Sequence, residues 1–194
     1  MKTLLTQIFS LTVVAWAASA SVWAAEPAAK ATLPATIFAD GAEALWVPSG
    51  YMGETSAIEM DAESKDSPHS GATCLKVSYT KSEGWGGVVW QHPANDWGSE
   101  PGGFDVTGAS KLTFWARGVD GGESIKFGFG VIGADKPYAD TAKKELKVTL
   151  TKEWAEYTID VSGLNLSRVK TGFMWVVGGA GKPVNFFIDD AIWH

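Results

Sequence analysis

The sequence predicts an all-β protein whose strands form an antiparallel sandwich or barrel. From Ile37 onward, short runs of strand-forming residues recur at close spacing, and clusters of Gly, Pro, Asp and Ser separate them. Helical periodicity is weak, since only residues 138–146 have room for a turn or two. Many short strands with almost no helix are typical of sandwiches and barrels. No internal repeat is visible, which argues against a solenoid or a propeller.

Each predicted strand is an apolar, β-branched or aromatic run that ends at a turn signal. The clearest is 124–131, where Ile, Phe, Phe and Val alternate with Lys126 and two glycines. Such alternation assigns one set of side chains to a core and the other to the opposite face. In chain order the predicted strands are 36–39, 56–60, 73–80, 86–91, 111–117, 124–131, 145–150, 155–161, 170–177 and 184–193.

Residues 1–24 have the pattern of a bacterial signal peptide, which predicts a periplasmic or secreted protein. Lys2 supplies a positive charge, the stretch from Leu4 to Trp23 carries none, and Val22-Trp23-Ala24 is an acceptable cleavage box. An uncleaved anchor is the alternative, but the stretch contains several Ser and Thr and ends in small residues. No other segment approaches membrane-spanning length, so no membrane insertion is expected after cleavage.

The remaining chain is predicted to be one domain, residues 37–194, preceded by a short Ala- and Pro-rich leader at 25–36. Cys74 is the only cysteine, so the fold must depend on packing and not on disulfides, and Cys74 itself is expected in the core. The full-length net charge is −6, with acidic and basic residues interspersed. Without a basic surface, nucleic acid is not expected as a partner.

Tryptophan is the most informative residue type in this chain. There are ten, and those outside the signal-like segment lie mostly in short β-type runs punctuated by glycine. An indole presents a flat apolar face and one N–H, so it serves either as core bulk or as a stacking platform. The C–H-rich face of a pyranose is a natural partner for such a platform. No comparable catalytic motif is visible: histidines are scattered, Gly-x-Ser-x-Gly is absent, and no pair of acids has diagnostic spacing.

Alternation within three strands predicts a polar and aromatic second face opposite the core. Phe114 and Ala116 are assigned inward, as are Val88 and Trp90. The other face would then combine indole, guanidinium, ammonium, amide and glycine groups. Such a mixture resembles the concave sheet of a ligand-binding sandwich. The candidates on this face and in the loops beside it are Trp85, Trp97, Trp115 and Tyr51 for stacking, and Gln91, Arg117 and Lys126 for hydrogen bonds.

A collinear set of motifs resembles the β-jelly-roll carbohydrate-binding modules, and in particular the galactose-binding-like domains of bacterial glycoside hydrolases. The resemblance implies an antiparallel jelly-roll sandwich and binding without catalysis. It covers nearly the whole domain and rests on Phe38–Gly41, Val47–Gly53, Gly84–Pro93, Asn95–Gly98, Lys111–Gly118, Trp154–Asp160 and Phe186–Ile192.

The same resemblance implies a structural calcium ion at the edge of the sandwich, with Asp40 and Asp189 as its carboxylate ligands. Ca²⁺ takes six to eight oxygens and accepts mixed carboxylate and carbonyl ligands. The resemblance also implies a polysaccharide or oligosaccharide as ligand and a separate glycoside hydrolase as a partner.

The sequence therefore favours an exported, non-catalytic carbohydrate-binding protein. The second hypothesis is a structural or protein-interaction domain of the cell envelope or matrix on the same scaffold, which an exposed aromatic patch without polar neighbours would favour. The third is a glycan-degrading enzyme, which requires two carboxylates facing each other across a cleft.

Overall fold

A computed structural model describes residues 26–194, and its strands confirm the all-β prediction. Within this range the single helical element is a 3-10 turn at Thr55–Ala57. No helix in the same range is long and apolar enough to cross a membrane. The signal-like segment 1–24 lies outside the described residues.

Every predicted run overlaps a strand, with ends that differ by a few residues. The strands are β1 Ala29–Lys30, β2 Ala35–Phe38, β3 Val47–Gly53, β4 Ile58–Ser64, β5 Cys74–Tyr79, β6 Trp85–Gln91, β7 Phe104–Asp105, β8 Lys111–Gly118, β9 Ser124–Phe129, β10 Lys144–Thr149, β11 Ala155–Asp160, β12 Thr171–Gly178 and β13 Val184–Trp193.

Two antiparallel sheets form a sandwich of the jelly-roll type. One has the order β10-β9-β12-β6-β3, and the other has the order β11-β8-β13-β5-β4, with β2 added on β13. Strands that are consecutive in the chain occupy matching positions in the two sheets, for example β9 with β8 and β12 with β13. The short β1 pairs with β7 in parallel and lies outside both sheets.

Part of the segment predicted as a leader packs on the sandwich. Its residues Ala29 and Lys30 pair with β7, and Ala31 and Ala35 are buried. Lys30 also donates from Nζ to the carbonyl of Thr107 at 2.6 Å.

The strand β3 has no counterpart among the predicted runs, because its Val-Pro-Ser-Gly start has the composition of a turn. Pro48 is tolerated there since β3 is an edge strand that pairs only with β6. The register of β3 shifts between Pro48 and Gly50. On the same side of the sandwich, the edge strand β4 has a register shift between Asp61 and Ser64.

The core between the sheets consists mainly of aromatic rings. Phe127 of the five-stranded sheet lies 4.5 Å, between ring centroids, from Phe114 of the opposite sheet, and Trp175 lies 5.5 Å from Phe186. Burial of each such side chain stabilises the fold by roughly 1.5–3 kcal/mol. The inward faces predicted for β6, β8 and β9 are confirmed, except that Val131 follows the end of β9 and turns outward.

Candidate functional site

The outward face of the five-stranded sheet forms a groove of about 390 Å³. All five strands of that sheet, or the turns that extend them, contribute to it. The side chains that define it are Met52, Trp85, Lys126, Glu145, Met174 and Val176.

Strand register fixes which of these side chains are neighbours across the groove. Val176 in the middle strand lies opposite Lys126 of β9 on one side and Gly87 of β6 on the other. Gly87 in turn pairs with Met52, and Lys126 pairs with Lys147. One row across the sheet therefore changes from two lysines at the β10 edge to apolar groups at the β3 edge.

The floor of the groove is apolar because methionine side chains cover glycines. A Cβ added at Gly128 would lie 3.0 Å from Cε of Met174, and one added at Gly87 would lie 3.2 Å from Cε of Met52. The thioether chains therefore occupy the space that larger residues on β6 and β9 would fill. Methionine is flexible and polarizable, so this floor can adapt to a flat ligand.

Trp85 provides the exposed aromatic surface of the groove, since Phe129, which also lines it, is buried. Trp85 is 48% exposed, although indoles are costly to leave in water. A Cβ added at Gly53 would lie 3.0 Å from Cδ2 and Cε3 of the indole, so backbone supports one side of the ring. Gly53 also has a φ of +69°, which further disfavours a side chain there. The indole is thus a supported platform with an accessible surface.

Charged groups form the rim of the groove at the β9–β10 edge. The Nζ of Lys126 lies 3.2 Å from Oε2 of Glu145, and both side chains are about half exposed. Among the lining residues described, Glu145 is the only carboxylate.

The far end of the same face is closed by the loop 92–103, which follows β6. Gln91 lies on the outward face but is buried beneath this loop. Its Nε2 donates to the carbonyl of Asp96 at 3.0 Å, and its Oε1 accepts from Oγ of Ser49 at 3.0 Å. The amide predicted to contact a ligand is therefore occupied in holding the loop.

A buried ion pair anchors the same loop. Lys170 is fully buried and its Nζ pairs with Oδ2 of Asp96, while also donating to the carbonyl of Glu100 at 2.6 Å. Burial opposes ionisation of Asp96, but hydrogen bonds from Lys170 and from the amides of Ser99 and Gly98 outweigh it, so its pKa is lowered. Asp96 is thus an ionised structural group.

Trp97 and Tyr51, two of the predicted stacking residues, are exposed but do not line the groove. Trp97 lies on the loop 92–103 and is 37% exposed. Tyr51 lies opposite Val88 and so points to the core side of its sheet. It lines a separate apolar cleft of about 380 Å³ between the edges β3 and β4, together with Met60 and Trp90.

Trp115 and Arg117 belong to the other sheet, which corrects the expectation of a single mixed face. Trp115 stacks on the His69 ring at 3.7 Å with an interplanar angle of 14°. The guanidinium of Arg117 lies 3.8 Å from the ring centroid of Phe187 and 5.2 Å from that of Trp154. These two candidates pack beneath the loop that follows β4, on a strand of the sheet that does not form the groove.

Asp40 and Asp189, the predicted calcium ligands, converge on one loop but bind its amides. Oδ2 of Asp40 accepts from the N–H groups of Ala72 and Thr73, and Oδ2 of Asp189 accepts from those of His69 and Ser70. Burial raises the pKa of Asp189. No cluster of three or more His, Cys, Asp or Glu suited to a metal occurs within residues 26–194.

Oδ2 of each aspartate already accepts hydrogen bonds from two backbone N–H groups. A calcium ion bound to these oxygens would have to displace those donors, so the two carboxylates as arranged do not fit a calcium site. The calcium ion stays a prediction from the sequence resemblance, and the arrangement of these donors argues against it.

Several residues of the groove were not among the sequence candidates. Met174 and Val176 alternate with the buried Phe173 and Trp175, so the same alternation used for other strands would have assigned them outward. Met52 could not be found in this way, since β3 was not recognised as a strand.

Two solved structures have an architecture similar to that of this chain. The chain is similar to a family 30 carbohydrate-binding module, with a TM-score of 0.56 at 18% identity over 84% of this chain and 99% of that one. It is also similar to the family 11 module of the cellulosomal cellulase Lic26A-Cel5E of Clostridium thermocellum, with a TM-score of 0.54 at 15% identity over 84% and 95% of the two chains. In sequence, no family model and no curated protein matches it. The chain therefore has the β-sandwich jelly-roll fold found in carbohydrate-binding modules.

Proposed function

We propose that this protein is an exported, non-catalytic carbohydrate-binding protein that holds a polysaccharide in the groove of its five-stranded sheet. The observation that carries the proposal is the half-exposed indole of Trp85, supported by the Gly53 backbone beside an apolar, methionine-covered floor. A pyranose needs a flat apolar surface for its C–H face and polar groups for its hydroxyls. Trp85 supplies the first, and the Lys126–Glu145 pair supplies the second.

The chemistry of the groove supports binding without catalysis. Glycoside hydrolysis generally uses two carboxylates about 5–10 Å apart across the scissile bond. Among the described lining residues Glu145 stands alone, and it is paired with Lys126. Cleavage of the bound polymer would then be the task of a separate glycoside hydrolase. The signal-like segment 1–24 supports export to the periplasm or the outside.

Affinity electrophoresis of wild type and Trp85→Ala tests the proposal. Gels would contain β-glucans, xylan, mannan, alginate or pectin, one at a time. We expect wild type to be retarded in at least one gel and Trp85→Ala to lose about tenfold or more in affinity, since stacking on an aromatic contributes roughly 1–3 kcal/mol.

Trp97→Ala is the matched control, because it removes an exposed indole that does not line the groove. It should retain the wild-type mobility shift. Loss of binding in Trp97→Ala with Trp85→Ala unchanged would move the site to the loop. No retardation in any gel would overturn the proposal.

A second candidate, a protein-interaction domain, is favoured by the cleft between β3 and β4. Its lining side chains are mostly aliphatic or aromatic, and Val47 and Tyr51 are among the most exposed large hydrophobic residues described. Exposed apolar surface of this kind is typical of interaction sites. Under this alternative, Tyr51→Ala would abolish a protein contact and no glycan would bind.

A further inference from the structure

The β10 edge of the groove concentrates positive charge in a protein that is acidic overall. The net charge of the chain is −6, yet Lys143 and Lys147 lie on the outward side of this edge together with Lys126. Glu145 is the one acidic residue among them, and it pairs with Lys126. Within residues 26–194, neither Lys143 nor Lys147 has an ion-pair partner.

This arrangement does not serve the stability of the sheet. Lys126 and Lys147 are directly opposite each other on paired strands, and like charges in that relation are destabilising. The neighbouring Lys144 shows the contrast, since it turns away from the groove and its Nζ donates to the carbonyl of Asp160 at 2.6 Å. The outward lysines therefore cost some stability in the free protein and would be neutralised by an anion in the groove.

The anion must also satisfy the rest of the groove. Lys126 on β9 and Gly87 on β6 flank Val176 in one row across the sheet. Trp85 lies two residues before Gly87 on β6 and therefore points to the same face. With strands about 4.8 Å apart, the β10 edge lies three strand spacings, roughly 14 Å, from β6, the strand that carries Trp85. One ligand that touches both needs a C–H-rich ring for Trp85 and a negative group for the lysines.

Resting on the carbohydrate-binding function proposed above, we infer that the preferred ligand is an acidic polysaccharide whose sugars carry carboxylates, that is, a polymer containing uronic acids. One sugar stacks on Trp85, and carboxylates along the chain pair with Lys126, Lys143 and Lys147. Ammonium–carboxylate hydrogen bonds are stronger than neutral ones, so they favour this class over a neutral polymer of the same backbone. Because the lysines are exposed, salt should weaken the preference.

The test measures binding of polygalacturonate and alginate against neutral β-glucan and galactan, by affinity electrophoresis and calorimetry at low and high salt. The variant Lys143→Gln/Lys147→Gln removes the two lysines without ion-pair partners and leaves the Lys126–Glu145 pair intact. We expect it to bind the acidic polymers about tenfold more weakly at low salt. Lys65→Gln is the control: this exposed lysine follows β4 of the other sheet and does not line the groove, so the variant should bind as wild type.

The outcomes separate this inference from the proposed function. If a neutral glycan binds as tightly as the acidic ones through Trp85, or if the double lysine variant is unchanged, the acidic preference is overturned and carbohydrate binding stands. If dextran sulfate binds equally well and Trp85→Ala has no effect, the lysines act as an unspecific ion exchanger and the inference fails. If no glycan binds, both fail.

Discussion

The ammonium of Lys170 and the carboxylate of Asp96 form an ion pair that both the sheet and its covering loop shield from water. Lys170 comes from the turn before β12, and Asp96 from the loop 92–103. The pair thus joins the sandwich to the loop that covers Gln91 on the outward face of the five-stranded sheet. Gln91 adds a second attachment through its bond to the carbonyl of Asp96.

We expect Lys170→Met to destabilise the protein by about 3–5 kcal/mol, because it leaves the Asp96 carboxylate buried without a counter-charge. Asp96→Asn should cost a similar amount for the corresponding reason. The double variant should lose less than the sum of the two. Urea denaturation of the three variants measures this coupling, and additive losses would show that the pair does not act as a unit.

Arg117 is expected to stabilise the fold and to have no part in ligand binding, because its guanidinium lies against the rings of Phe187 and Trp154 on the sheet that does not form the groove. Arg117→Met should lower the free energy of unfolding by about 1–2 kcal/mol through loss of the cation–π contacts. Glycan affinity should stay at the wild-type value. A variant with normal stability and lost binding would return Arg117 to the site predicted from the sequence.

Asp40 and Asp189 accept hydrogen bonds from backbone amides of the loop 69–73, so we expect the stability of this part of the fold not to depend on a metal ion. Addition of EDTA or of Ca²⁺ should leave the melting temperature unchanged. Asp189→Ala should destabilise the protein by about 1–3 kcal/mol, since the amides of His69 and Ser70 lose their acceptor. A rise in melting temperature with Ca²⁺ that Asp189→Ala abolishes would instead support the calcium site of the sequence resemblance.

Cys74 should be inert towards thiol reagents in the folded protein. It is fully buried, and burial raises the pKa of its thiol to about 11. Reaction with a chromogenic disulfide at pH 8 should therefore be slow in buffer and fast in denaturant. Rapid labelling of the folded protein would contradict the buried position.

The raised pKa of the Cys74 thiol also determines how the stability of the protein changes with pH. Because the thiol ionises more easily in the unfolded chain, its contribution to stability is complete below the unfolded pKa near 9 and is lost as the pH rises towards 11. Wild type should therefore lose more stability than Cys74→Ala between these pH values. An equal loss in both would show that the folded and unfolded thiols titrate alike.

Local pattern was sufficient to predict ten of the thirteen described strands and most of the inward faces, as Phe127 and Trp90 illustrate, because alternation depends only on neighbouring residues. It was not sufficient to assign strands to sheets. Trp85 and Trp115 were expected on one surface, but the order of strands sends β6 and β8 to different sheets. That order is set by contacts between distant parts of the chain, which no local pattern contains.

The candidate site shows the same difference between features that local alternation predicts and features that depend on distant parts of the chain. Trp85 and Lys126 line the groove, since each is the outward residue of a clearly alternating strand, and their role in ligand binding stays a prediction. Gln91 is equally outward, yet the loop that buries it is held by Lys170, some eighty residues further along the chain. Exposure of a sheet residue therefore depends on what lies over it as much as on alternation.

The interruptions in β3 and β4 determine how another polypeptide can approach the cleft around Tyr51. Pro48 offers no N–H, and shifts of register break the ladder in both edge strands. The backbone N–H and C=O groups of a strand added to either edge could not all pair with those of β3 or β4, because the register of each edge strand shifts along its length. Any protein that occupies this cleft must therefore be recognised through its side chains, and copies of the chain crowded along one polymer are protected from joining edge to edge into a continuous sheet there.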